Sequence, residues 1–268
     1  MIMFMFREFY AYIVECFKGN DRALFTVLIA LCHTIPVVLH EVFLFTIGWL
    51  KLFEQCKIQP DKPVDSSLVG KLWTHSILSH LIFMPLLLWF GLYPIVVFLS
   101  GNNTELPTTM VMLKDLAVCV LLEDALFFWA HRLLHHPALY KHCHKKHHEF
   151  KVLTGYSMAS EYTHPVETLL GNIVPVVAGP LVTKCGLYTL AVWIILRMLK
   201  TCDAHSGYAF RWSPFGICWP LNPAVRHDYH HETGLGSYGS FFIFWDAICE
   251  TNADYIQHET KRLCEKEK

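Results

Sequence analysis

Apolar residues gather into four long runs along the chain. Residues 23–50 are apolar except for His33, His40 and Glu41, and residues 72–100 form a similar run that holds His75, His80, Pro85 and Pro94. Each is longer than the roughly 20 residues a helix needs to cross a bilayer, so each predicts a tilted span or a kinked hairpin. Residues 51–71 between them are polar and lysine-rich, and Gln59-Pro60-Asp61-Lys62-Pro63 marks a loop. The third run, residues 110–130, carries Asp115, Glu123 and Asp124. Carboxylates are costly against lipid, so part of this helix is expected to face a protein interior. The fourth, residues 166–199, is broken by Pro175, Gly179, Pro180 and Gly186. That is short for two full crossings and predicts a helical hairpin that dips into the membrane and returns.

The pattern predicts an all-α integral membrane protein, with helical hairpins anchoring a polar, histidine-rich cap. Residues 1–109 form its membrane-anchoring region and residues 110–268 its catalytic region. Composition agrees, with 53% apolar residues against 17% charged and a mean hydropathy of +0.33. A net charge of -1 supplies no basic field to neutralise phosphates, which excludes a nucleic-acid partner. The ten cysteines include no C-x-x-C pair, so they read as reduced, packed thiols. Residues 1–20 alternate aromatic and charged positions and lack a small-residue cleavage site, unlike a cleaved secretory signal. Asn102-Asn103-Thr104 is a formal glycosylation acceptor.

Histidine changes the picture most. His131, His135 and His136 form one cluster, His144, His147 and His148 a second, and His227, His230 and His231 a third. With 17 histidines in 268 residues, the pattern H-x-x-H-H is expected by chance roughly 0.07 times per chain. It occurs twice, and the first cluster is a near variant. At spacings of three and four residues, each cluster is expected to offer its imidazoles in one direction. Nine such ligands exceed the needs of one zinc ion and fit two metals sharing a site. The paired Glu-x-x-His motifs of soluble carboxylate-bridged di-iron bundles are missing. Neutral ligands leave the metal charge uncompensated, which suits dioxygen chemistry with electrons delivered from outside. Arg132, Lys141, Lys145, Lys146, Lys151, Arg211 and Arg226 flank the clusters and predict a cytosolic face.

The runs His131-Arg132-Leu133-Leu134-His135-His136, His144-Lys145-Lys146-His147-His148 and His227-Asp228-Tyr229-His230-His231 resemble the three histidine boxes of the fatty acid hydroxylase/sterol desaturase superfamily. Within it the chain is most similar to sterol C-4 methyl oxidases, the methylsterol monooxygenases. Glu161-Tyr162-Thr163-His164-Pro165, Asp203-Ala204-His205-Ser206-Gly207-Tyr208 and Lys57-Ile58-Gln59-Pro60-Asp61-Lys62-Pro63 support that likeness. It covers the chain from about residue 25 onward. The resemblance implies a multi-pass endoplasmic reticulum enzyme with two non-haem iron ions. Dioxygen and electrons from NAD(P)H, delivered through cytochrome b5 and its reductase, would oxidise a 4-methylsterol. It implies the nine clustered histidines as iron ligands with His205 as a tenth, one of His135 and His136 being an alternative outer-shell residue. The glycine-rich stretch 234–239 departs from expectation for that family.

Asp203, Asp228, Glu149 and Glu161 are candidates to accept the second N–H of a box histidine, a solvated carboxylate being the bland alternative for Asp228. His164 is expected to cap a turn or else to line the site, His142 to lie on the surface, and His33, His40, His75 and His80 to make buried polar contacts or line the substrate path rather than bind metal. Rival readings are a related lipid hydroxylase or desaturase and, from another class, a metal-binding membrane transporter, for which those four intramembrane histidines are the support.

Overall fold

A computed structural model describes residues 2–266; Met1, where the N-terminal reading begins, and Glu267 and Lys268 lie outside them. The first helix, α1 (Ile2–Cys16), precedes α2 (Asp21–Trp49). Asn20 starts α2 by accepting the Ala23 N–H at 3.2 Å, satisfying one of the free donors of the first turn. The first apolar run is thus one continuous 29-residue helix that keeps Pro36 in its interior. The second run lies in α3 (Ser66–Ser100), capped by Asp65 accepting from Ser67 N–H.

Proline shapes the next level. Helix α3 widens into π turns over Ser79–Phe83 and Leu87–Leu92, each ending two residues before a proline, Pro85 and Pro94. A proline inside a helix lacks an N–H and its ring crowds the preceding turn, and a π turn opens that turn. Thr168–Ile173, ahead of Pro175 in α5 (Pro165–Thr183), repeats the device.

Helix α4 (Thr109–Leu134) packs along α5, and α6 (Leu187–Ala204) packs along α2. At the first contact a Cβ on Gly179 would meet Cys119 Cα at 2.4 Å, so only glycine permits the approach. Glu123 and Asp124 of α4 are fully buried, as their cost against lipid demands. Arg197 Nε donates to Glu123 at 2.6 Å, and the Phe242 N–H donates to Asp124 at 2.9 Å. The remaining elements that matter are α7 (Ala224–Thr233), α8 (Phe244–Ile248) and α9 (Ala253–Lys266). Among the described residues there is no strand, only two isolated bridges.

Among the described residues three helices, α2, α3 and α5, are long and apolar enough to cross a membrane. In α3 only 6% of the most apolar stretch is buried inside the protein, and Leu81, Phe83, Phe90 and Phe98 stand exposed. An apolar surface of that extent needs a nonpolar surrounding.

Candidate metal centre

The C-terminal turn of α4 carries His131 and ends at His135, whose N–H bonds back to His131 O. His144 closes a π turn over Tyr140–His144, and His147 and His148 open a tight turn over His147–Glu149. Helix α7 supplies His227, His230 and His231, and His205 sits at the C-terminal cap of α6. These residues meet in two groups. His131, His135, His144, His148 and His230 form one, and His147, His205, His227 and His231 the other; in each, one ligand atom per residue lies within 4.8 Å of all the rest.

The clusters of the sequence are therefore not the groups of the structure. Residues spaced by four stay together, namely 131 with 135, 144 with 148 and 227 with 231, whereas 144 and 147, or 227 and 230, part. At 3.6 residues per turn a step of four turns a side chain about 40° one way and a step of three about 60° the other. That divergence lets α7 serve both groups. His136 joins neither: its backbone is extended, its ring is exposed, and its Nδ1 accepts the Ala138 N–H at 3.3 Å. Pro137 follows it, and a residue before proline is driven out of the helical region.

Hydrogen bonds to backbone carbonyls fix four of the tautomers. His131 Nδ1 donates to Tyr238 O, His205 Nδ1 to Thr201 O at 3.0 Å, His230 Nδ1 to Gly236 O at 2.6 Å and His231 Nδ1 to Phe150 O at 3.0 Å. His144 Nδ1 lies 2.9 Å from the buried Glu167 carboxylate. A neutral imidazole whose proton is at Nδ1 presents a bare lone pair at Nε2. The Nε2 atoms converge: those of His144, His205 and His230 lie 3.0 Å from His148 Nε2, 2.9 Å from His227 Nε2 and 3.1 Å from His135 Nε2 in turn. His231 Nε2 is buried with no hydrogen-bond partner. Such an acceptor costs about 1–3 kcal/mol, and a cation among the nitrogens relieves it. Burial first, and the neighbouring imidazoles second, hold His147, His205, His227 and His230 well below the ordinary imidazole range. Burial pushes His231 down to about 3. The rings are thus in the neutral form that ligates metal. The donor set fits a pair of imidazole-bound transition metals.

A cavity of about 50 Å³ touches both groups, lined by His131, His144, His147, His205 and His227 with Arg197 and Lys200. It has room for a few water-sized molecules. On the opposite face of α6, Ile195 and Leu199 join Leu28, Pro36 and His40 around an apolar cavity of about 560 Å³, within the range of lipid-sized ligands.

The carboxylates expected beside the boxes do other work. Asp228 accepts from Gln59 Nε2 at 2.6 Å, and Glu149 pairs with the Tyr162 hydroxyl. Burial raises Asp228 to about 7. Glu161 turns to His33 and His80, and Glu167, not Asp203, is the carboxylate at a box histidine. His164 caps a turn by accepting the Val166 N–H, and His142 is exposed. The glycine-rich stretch also has a cause. Gly236, at φ +54°, has its Cβ position 2.0 Å from Thr251 O while its own carbonyl holds His230.

The family model for fatty acid hydroxylase matches residues 116–251, which include every box. A very-long-chain aldehyde decarbonylase of Oryza sativa subsp. indica is 42% identical over 170 residues, 62% of each chain. The chain thus spans less than two thirds of that relative. Methylsterol monooxygenase 1 of Gallus gallus is 34% identical over 81% of this chain and 73% of its own, and that of Danio rerio 32% over 83% and 78%. No solved structure matches.

Proposed function

We propose, from the premise that the chain belongs to the fatty acid hydroxylase family, that it is a membrane-bound oxidoreductase holding two non-haem iron ions and oxidising the C-4 methyl group of a sterol. The observation that carries this reading is the convergence of nine neutral imidazoles into two adjoining groups. His131, His135, His144, His148 and His230 hold one iron, and His147, His205, His227 and His231 the other; His136 is left out of the ligand set. Iron bound there supplies reductive activation of dioxygen for attack on an unactivated C–H bond.

The protein's part is positional. Backbone carbonyls of Thr201, Gly236 and Phe150, with the Glu167 carboxylate, hold the Nδ1 of His205, His230, His231 and His144 and turn their Nε2 atoms inward, which raises ligand basicity. The Arg197–Glu123 pair, tied to the Ser240 hydroxyl, braces the wall between α4 and α6. The lipid substrate is delivered from the bilayer around α2, α3 and α5, residues 1–109 anchoring and residues 110–268 catalysing. α5 and α6 act as a hairpin that dips into the membrane and returns, so that the boxes share the cytosolic face of the endoplasmic reticulum. Exposed Lys141, Lys145 and Lys151 offer an acidic cytochrome b5 a docking face, with electrons from NAD(P)H through its reductase.

The test is turnover by the protein purified in mild detergent, given 4,4-dimethylsterol, cytochrome b5, its reductase and NADH. Oxidised 4-methyl product supports the reading. Conversion of a long-chain aldehyde instead, the substrate named in the rice relative, would replace the sterol while keeping the metal centre.

A further inference from the structure

Away from the boxes, a third set of ligating groups meets between the two N-terminal apolar helices and the turn Ser157–Glu161. His33 of α2, His80 of α3 and Glu161 each place one ligand atom within 4.8 Å of the other two. His33 Nε2 lies 3.3 Å from Glu161 Oε1, and His80 Nε2 lies 2.6 Å from Oε2. His80 sits in the π turn Ser79–Phe83.

We propose that His33, His80 and Glu161 form a third divalent-cation site, with zinc the cation its donors favour. Two imidazoles and one carboxylate are a known zinc donor set, with a fourth position left for water. The charge balance points the same way. The Glu161 side chain is only 13% exposed, and among the described residues no lysine or arginine pairs with it. A buried carboxylate needs a positive partner, and the only partners at hand are the two imidazoles.

Spacing is the second argument. Zinc bonds of about 2.0–2.2 Å in tetrahedral geometry separate ligand atoms by about 3.4 Å, so a shift of roughly an ångström seats the ion. The box groups are drawn together to the same degree, at 2.9–3.1 Å between facing Nε2 atoms. Outer contacts complete the pattern. His80 Nδ1 is 2.8 Å from Thr34 Oγ1, orienting its Nε2 on the carboxylate. His75 Nε2 donates to the Glu161 carbonyl at 3.0 Å, with Lys146 Nζ on its other nitrogen, which holds the turn bearing the carboxylate. An ion here ties α2 and α3 to the segment that follows the second box. The proposal does not depend on the oxygenase reading.

The full chain, purified in mild detergent, is stripped with chelator, dialysed against zinc alone and counted for metal by mass spectrometry. Glu161→Gln, which keeps the shape and loses the charge, is expected to bind about one zinc fewer per chain than wild type. His227→Ala, a box variant, should lose its own equivalent and keep this one, so failure of the box assignment is read separately. If Glu161→Gln is not recovered as a monodisperse protein, His33→Gln takes its place, because His33 is the most exposed member at 28%. Equal zinc in wild type and the recovered variant overturns the proposal and leaves a hydrogen-bonded imidazole–carboxylate pair.

Discussion

The two box groups differ in number and in enclosure. The five-membered group includes His135, which is only partly buried, whereas all members of the four-membered group, His147, His205, His227 and His231, are buried. On the proposed reading, the fifth imidazole stands at the open edge, where a ligand position can be vacated for an incoming molecule. The enclosed group has none to spare. Metal retention and turnover should therefore respond differently to the loss of a ligand on the two sides.

The largest effect is expected for His227→Ala. It leaves three imidazoles in the enclosed group and should abolish turnover with loss of that metal, checked by metal content and product analysis. Glu167→Gln comes next. It replaces the carboxylate at His144 Nδ1 and should weaken metal binding or activity about 10–100-fold, read by competition with a chelator. His135→Ala leaves four imidazoles in the open group, so metal should be retained with turnover lowered about tenfold or less. A loss as severe as that of His227→Ala would erase the distinction between the groups. The smallest effect belongs to His136→Ala, an exposed residue capping a short turn. Stability should stay within about 0.5 kcal/mol, and iron content should match wild type.

Much of this was legible in the chain. The H-x-x-H-H spacing located the histidines that the fold gathers into two groups, the carboxylates of α4 announced a buried face, and the apolar runs gave the helices long enough to span. His136 was readable too, because the proline after it disfavours the helical backbone that would aim its ring with His135. The pairing of ligands was harder. A step of three and a step of four both look like one helix face in sequence, and only the packing of three segments around two points separates them. The roles of Glu167 and Gly236 were not legible, because Glu167 acts on a histidine distant in sequence and Gly236 through its backbone carbonyl, which no residue type marks. Glu161 was assigned to the boxes on nearness in sequence, yet the fold turns it to His33 and His80, more than 80 residues away.

The most direct test counts iron per chain after anaerobic reconstitution, in a Glu161→Gln background so that only the box groups contribute. About two irons are expected with all box histidines present and about one when His227→Ala is added, the open group keeping its own. A single iron in the parent, or simultaneous loss of all iron with His227→Ala, would contradict two separately held metals.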